Sequence, residues 1–180
     1  MKTLYRLISA LLFALILDGL TKAWAERSLD LHQPVPIVGN LFRLTLGHNT
    51  GVAFGVFANG GLWPLVLTGI IIVILLFWFA RALFSGQFPT WAAWPIGLLL
   101  GGAIGNFADR LLDGKVTDFL DVGIGTARWP TFNLADSFIL LGVGLLMFLT
   151  FERDEADADI DIKDFSENSL GRSESTFLDS

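Results

Sequence analysis

Two aspartates, Asp118 and Asp136, carry the greatest capacity for chemistry in this sequence if the fold brings them together. Two carboxyl groups at close range do not both ionise readily, so they share a proton. One can then take a proton from water while the other gives one to a carbonyl oxygen or a leaving amine. Asp118 falls on a strand-like run, residues 116–122, and Asp136 has no basic residue three or four positions along its segment. The run Asn133-Leu134-Ala135-Asp136 reads as a helix start, with Asn133 able to cap and Asp136 in the first turn. A carboxylate there also gains from the helix dipole alone, so simple capping and a working pair both fit these residues.

A second group of polar residues sits inside apolar surroundings. Asp18 and Lys22 are four apart and can pair on one helix face, and Asn106 precedes Asp109 and Arg110 by three and four residues. Ionisable groups in a bilayer cost several kcal/mol unless they are paired or face a cavity, so they are expected to cluster. Internal acid–base pairs, Asp18 with Lys22 and Asp109 with Arg110, would account for them structurally by fixing helix register.

The elements that must position these residues are hydrophobic helices. Just over half of the 180 residues are apolar and 17% are charged, too few for an ordinary soluble domain. Four stretches reach the length of about 20 residues that a bilayer crossing needs: residues 4–24, 62–84, 91–112 and 134–151. The expected fold is an all-α membrane protein of four transmembrane helices. With both termini on one side, the ends of the first and third spans and the start of the fourth share the opposite side. Asp18, Lys22, Asn106, Asp109, Arg110 and Asp136 then lie at one membrane level, while Arg81 lies at the far end of the second span. Gly97, Gly101 and Gly105 recur every four residues in the third span, a small-residue ridge that admits a neighbouring backbone. The N-terminus has Lys2, Arg6 and an Ala23-Trp24-Ala25 triplet, as a cleavable signal peptide would. Asp18 and Lys22 interrupt the region that such a peptide keeps apolar, so a retained helix is the better reading.

Between the first two spans, Val35-Pro36-Ile37-Val38 and Phe42-Arg43-Leu44-Thr45-Leu46 alternate as strands, with Gly39-Asn40 and Asn49-Thr50-Gly51 as turns. They predict a small β-rich element at the membrane surface. The body is residues 1–151. Residues 152–180, acidic and Ser-rich, form a second segment expected to be disordered. That tail holds the excess acid behind the net charge of −6. Lys2, Arg6, Arg81 and Arg153 on one side balance Arg27, Arg43, Lys115 and Arg128 on the other, so charge bias does not set the orientation. No basic patch with interleaved aromatics appears, which excludes nucleic acid as an expected partner. Zero cysteines exclude disulfides and thiolate chemistry. Two other functions compete with a hydrolase using a carboxylate pair. A proton-coupled transporter would need polar groups across the membrane, and here they sit at one level. A metal hydrolase using Asp118, Asp136 and His48 would have few ligands, and neither His48 nor His32 stands in an H-E-x-x-H arrangement. No metal or other cofactor is therefore expected.

Five blocks, in order, resemble the lipoprotein signal peptidases (signal peptidase II): Asp18-Gly19-Leu20-Thr21-Lys22; Asn49-Thr50-Gly51-Val52-Ala53-Phe54; the run from Gly101 to Arg110; Val116-Thr117-Asp118-Phe119; and Phe132-Asn133-Leu134-Ala135-Asp136-Ser137. They span residues 18–137, nearly the whole membrane body. The resemblance implies an aspartyl endopeptidase of the bacterial cytoplasmic membrane with Asp118 and Asp136 as its catalytic dyad. By the same resemblance Asn49, Gly51, Asn106, Asp109, Arg110 and Asn133 surround the scissile bond or hold the dyad. Asp18 and Lys22 match the first block, for which the resemblance implies a role in stability as readily as one in catalysis. Gly19 departs from the Gln often found there. The implied partners are membrane lipid and a prolipoprotein signal peptide with a diacylglyceryl-cysteine, cut on the amino side of that cysteine. The resemblance also puts both termini in the cytoplasm and the site and β-rich element outside it, with the segment around residues 49–54 covering the site from the water.

Overall fold

The computed structural model describes residues 2–51, 61–86 and 88–152. The tail from residue 153 onward and half of the expected covering segment, residues 52–54, lie outside the described residues. Among the described residues, four helices are long and apolar enough to cross a membrane: α1 (Lys2–Ser28), α2 (Trp63–Phe84), α3 (Ala93–Asp113, entered through a 3-10 turn at Thr90–Ala92) and α4 (Leu134–Glu152). The chain divides into one unit of residues 1–143 and another of residues 144–180. The chemistry described below belongs to the first.

Sequence chemistry explains the ends of the helices. The apolar run of α1 stops near Trp24, yet the helix continues to Ser28. Ala23, Ala25, Glu26 and Arg27 tolerate helix well, and Ala25 is fully buried against Leu46 and Phe119. The Ala23-Trp24-Ala25 triplet is thus an internal, packed part of α1. Pro64 opens the first turn of α2, where its missing N–H costs nothing. At the end of α3, Gly114 takes a left-handed conformation (φ 69°) and its N–H bonds the carbonyl of Arg110, which turns the chain into the next strand.

Within the first unit, α3 is the central helix. Two-thirds of its most apolar window is buried, against 11% for α2. The buried residues of α1 (Leu7, Ala10, Ala14, Asp18, Lys22 and Ala25) recur every three or four positions and form one stripe. That stripe lies on the glycine ridge of α3. A methyl on Gly97 would sit 2.5 Å from the Leu7 carbonyl oxygen, and one on Gly101 would sit 2.6 Å from that of Leu11. On another side of α3, a methyl on Gly102 would strike the carbonyl oxygen of Ala135 in α4. Packing without a side chain is what lets the backbones approach this closely. Gly101→Leu is therefore expected to separate α1 from α3. The check is the yield of monodisperse protein in detergent, which should fall severalfold while Gly19→Leu, where nothing lies within 4 Å, leaves it unchanged.

The sheet is larger than the connection between the first two helices predicts. Strands β1 (Val35–Val38) and β2 (Phe42–Asn49) come from that connection, but β3 (Val116–Ile124) and β4 (Ala127–Arg128) come from the connection between α3 and α4. The order is β1-β2-β3-β4, all antiparallel. Leu44, Leu46, Phe119 and Leu120 turn apolar side chains onto the last turns of α1 and the start of α4. The β2–β3 register pairs Arg43 with Asp121, Gly47 with Asp118, His48 with Thr117 and Asn49 with Val116, with a slip between Leu44 and Gly47.

A buried carboxylate fixes this register. Asp121 Oδ2 accepts from Arg43 Nε at 2.9 Å and from Thr45 Oγ1 at 2.8 Å, and its Oδ1 accepts from Arg128 Nε at 2.8 Å. Burial alone would raise the Asp121 carboxyl, but the hydrogen bonds from Arg128, Thr45 and Arg43 outweigh it and hold the group below the usual carboxylate range. Arg43, Asp121 and Arg128 thus tie three strands together, a cluster that the sequence reading did not single out. The visible signal is the three-residue offset between Asp118 and Asp121, which sends them to opposite faces of a strand.

Candidate active site

The site begins with the junction between β3 and α4. Phe132 bridges to Leu120 through backbone hydrogen bonds in both directions (2.8 and 3.0 Å), which delivers Asn133 beside β3 just before α4 begins. Asn133 caps that helix. Its Oδ1 accepts the N–H of Asp136 at 3.0 Å, and Asp136 Oδ2 reaches back to the Asn133 N–H at 3.3 Å. This is the reciprocal arrangement of a capping box, with Asp136 in the role usually held by Glu.

The other half of the Asn133 side chain joins the two aspartates. Its Nδ2 donates to Asp118 Oδ1 at 2.7 Å and to Asn106 Oδ1 at 3.2 Å. Asn106 in turn donates from Nδ2 to Asp136 Oδ1 at 2.8 Å. Asn133 is fully buried, and both its donors and its acceptor are used, so the network admits one orientation of its amide. Asp118 is buried on β3 and also takes a hydrogen bond from the Asn49 side chain. Burial, reinforced by the neighbouring charge of Asp136, pushes the Asp118 carboxyl up to about 7, and the hydrogen bonds from Asn133 and Asn49 only partly oppose this.

A cationic centre supports the pair from α1. Lys22 Nζ lies 2.7 Å from Asp18 Oδ2, 2.7 Å from Asp109 Oδ2 and 2.9 Å from Asn106 Oδ1, so it forms ion pairs with two carboxylates and donates to the Asn106 amide oxygen. The remaining oxygen of Asp18 accepts the N–H of Ala135 at 2.9 Å, satisfying a donor in the first turn of α4. Asp18 is thus a cap supplied by a different helix. Asp109 pairs with Lys22 and not with its neighbour Arg110, because adjacent helical residues point about 100° apart. Arg110 instead donates from Nη1 to the Asn106 carbonyl at 3.1 Å and from Nη2 to the Gly51 carbonyl at 2.5 Å. Asn49 Oδ1 accepts the Gly51 N–H at 2.8 Å, so Asn49, Gly51 and Arg110 hold the end of β2 against α3.

The structure therefore brings Asp18, Lys22, Asn49, Gly51, Asn106, Asp109, Arg110, Asp118, Asn133 and Asp136 into one network. His48 stands apart. Strand alternation turns it away from the Gly47–Asp118 pair, and its Nε2 lies 2.8 Å from Glu26 Oε1, which also accepts from Thr117 at 2.7 Å. The grouping of His48 with Asp118 and Asp136 as metal ligands finds no support in this geometry. His32 lies away from the network in a left-handed turn (φ 61°), its N–H bonded to the Leu46 carbonyl.

Fold and site together define a multi-pass membrane protein with a buried carboxylate-rich network where three of its helices and its sheet meet. A model of the signal peptidase (SPase) II family matches residues 10–152, and the chain belongs to that family. The lipoprotein signal peptidase of Syntrophotalea carbinolica is 43% identical over 78% of this chain and 86% of its own length. That of Xanthomonas axonopodis pv. citri is 39% identical over 83% of this chain and 89% of its own. Among solved structures, a bacterial membrane enzyme determined by the in meso method at 2.3 Å resolution superimposes with a TM-score of 0.71 at 30% identity, covering 81% of this chain and 87% of that one.

Proposed function

We propose that this protein is an aspartyl endopeptidase that removes signal peptides from diacylglyceryl-modified prolipoproteins, cutting on the amino side of the lipidated cysteine. The observation that carries the reading is Asn133, whose side chain and backbone hold Asp118 and Asp136 in one network while burial keeps Asp118 protonated into the neutral range. Family membership and the relatives' name, lipoprotein signal peptidase, support the substrate.

In the proposed reaction, water attacks the scissile carbonyl carbon and Asp136 takes its proton. Asp118 gives its proton to the carbonyl oxygen, which yields a neutral tetrahedral intermediate. Collapse breaks the C–N bond, Asp136 passes its proton to the leaving amine, and Asp118 recovers the hydroxyl proton. Asn106 and Asn133 keep the two carboxyls in place. Arg110 holds Gly51, just beyond the end of β2, through its carbonyl. The site and sheet face the extracytoplasmic side, with both termini cytoplasmic. This suits a reaction that needs water, since Asp136 sits in the first turn of α4. Residues 1–151 form the catalytic body, and residues 152–180 serve as an acidic tail.

The test is a gel-shift assay in detergent with a purified diacylglyceryl prolipoprotein and its unmodified counterpart. Cleavage before the cysteine of the lipidated form alone is expected. An intact substrate under conditions where the Syntrophotalea relative cleaves it would overturn the reading. The pH dependence has a definite sign. The raised Asp118 carboxyl loses its proton as pH rises through about 7, so turnover falls on the alkaline side of that value. The same shift means that the folded state binds the extra proton. Its contribution to stability is full below the ordinary carboxylate range and is lost as pH climbs to about 7. Thermal midpoints measured from pH 4 to 8 should decline over that window in wild type and decline less in Asp118→Asn.

A further inference from the structure

Outside the network, Glu26, His48, Lys115 and Thr117 join α1 to β2 and β3 on the face turned away from the aspartates. Glu26 Oε1 accepts from Thr117 Oγ1 at 2.7 Å and lies 2.8 Å from His48 Nε2, and Lys115 Nζ lies 3.3 Å from His48 Nδ1. An ammonium only donates, so Nδ1 is the accepting nitrogen and Nε2 carries the proton that goes to Glu26. His48 and Thr117 are direct partners in the ladder. The residues that follow them, Asn49 and Asp118, point to the other face, where the Asn49 side chain donates to Asp118. One carboxylate thus fastens the immediate neighbours of two members of the network.

This stretch of sheet is short of other support. The slip between Leu44 and Gly47 separates it from the rest of the ladder and leaves the pairs Gly47–Asp118, His48–Thr117 and Asn49–Val116. Asn49 is the last residue of β2 and Val116 the first of β3, and ladder ends open locally at little cost. Glu26 stands four residues beyond Lys22, so the helix that holds Asn106 through Lys22 also holds both strands through Glu26.

We propose that Glu26 is a positioning residue, which through Thr117 and His48 keeps Asn49 against Asp118; its role in turnover rests on the endopeptidase reading above. The other charged groups that face Asp118 are Asp136 of α4, Lys22 of α1 and Arg110 of α3. Asp136 is held by Asn106 and Asn133, Lys22 by Asp18 and Asp109, and Arg110 keeps Nη1 on the Asn106 carbonyl, bonds in which Glu26 has no part. The Asn49 bond draws the Asp118 carboxyl down, so losing it moves that carboxyl further up from about 7. Loss of the Glu26 charge by itself would move it the other way, because a nearby negative charge favours the bound proton. The direction separates the two causes.

The experiment uses the full-length protein in detergent. Glu26→Ala is expected to lower kcat on a diacylglyceryl prolipoprotein about tenfold with KM unchanged, and to move the alkaline limb of the rate upward. Both bonds fall on one oxygen of Glu26, so the amide oxygen of Glu26→Gln can accept both and should restore kcat to within about twofold. Thr117→Val removes one bond at nearly the same shape and should lower kcat about threefold, with nothing further lost when it joins Glu26→Ala. A Glu26→Ala protein with a lower thermal midpoint but wild-type kcat and alkaline limb overturns the proposal. So does a limb that moves downward, or a Glu26→Gln protein as slow as Glu26→Ala. Carbon-13 NMR of protein labelled at its aspartate carboxyls, with Asp118 assigned by its loss in Asp118→Asn, reads the same titration without substrate. No upward movement there in Glu26→Ala overturns the proposal. Upward movement in a protein whose wild type cleaves nothing would sink the peptidase reading and leave the link from Glu26 to Asp118 standing.

Discussion

Asp118→Asn and Asp136→Asn are each expected to lower turnover of a diacylglyceryl prolipoprotein by about a thousandfold or more, the scale on which a positioned acid or base contributes. The two variants differ in what they do to the fold. Asp118 accepts from Asn133 on Oδ1 and from the Asn49 side chain, but its carboxyl is neutral up to about 7 and already carries one proton, which an amide NH2 reproduces while the amide oxygen keeps the Asn133 bond. Asp136 accepts on both oxygens, from Asn106 Nδ2 and from the Asn133 N–H, so its amide must set an NH2 against one donor. Asp136→Asn should therefore also lose stability, by about 1–3 kcal/mol. Initial rates from the gel-shift assay, read beside thermal midpoints, separate the effects. Near-normal turnover in a folded Asp118→Asn protein would remove that residue from the mechanism.

The largest expected loss of stability is at Lys22. Lys22→Met keeps the bulk of the side chain but strips the cation from Asp18, Asp109 and Asn106 at once. Removing one partner of a buried ion pair costs about 3–5 kcal/mol, because the remaining charge is left uncompensated. The thermal midpoint in detergent should drop by many degrees. Adding Asp18→Asn and Asp109→Asn to Lys22→Met should restore much of it. A midpoint unmoved by Lys22→Met would mean that the triad contributes nothing to the fold.

Much of this arrangement was legible in the residues, for a physical reason. A bilayer imposes a length and a polarity on whatever crosses it, so the four spans could be read from apolar runs, and the α2 and α4 boundaries match within a residue. The same constraint placed Asp18, Lys22, Asn106, Asp109 and Asp136 at one level. Spacing along a single helix could not tell which groups pair across helices. Asp109 adjoins Arg110 in sequence but pairs with Lys22, 87 positions away, and Asn133 reaches Asn106 because β3 delivers it there. The sheet was half legible. Alternation announced β2 and hinted at β3, but nothing local says that strands from two separate connections pair. The register depends on Arg43, Asp121 and Arg128, three charges on strands or strand-like runs whose polar positions read as ordinary solvated surface.

The pairing of Lys22 with Asp18 bears on how the protein is made. During synthesis α1 enters the membrane before Asn106 and Asp109 exist, so its two buried charges would be stranded in lipid if they depended on α3. Four residues apart on one helix and 2.7 Å from each other, they neutralise themselves on entry and exchange no partner afterwards. Asp109 and Asn106 then arrive on α3 to complete the coordination of Lys22, and the first turn of α4 arrives last to occupy the free oxygen of Asp18. The first helix is thus a self-sufficient template, and the later helices add their contacts to a centre already in the membrane.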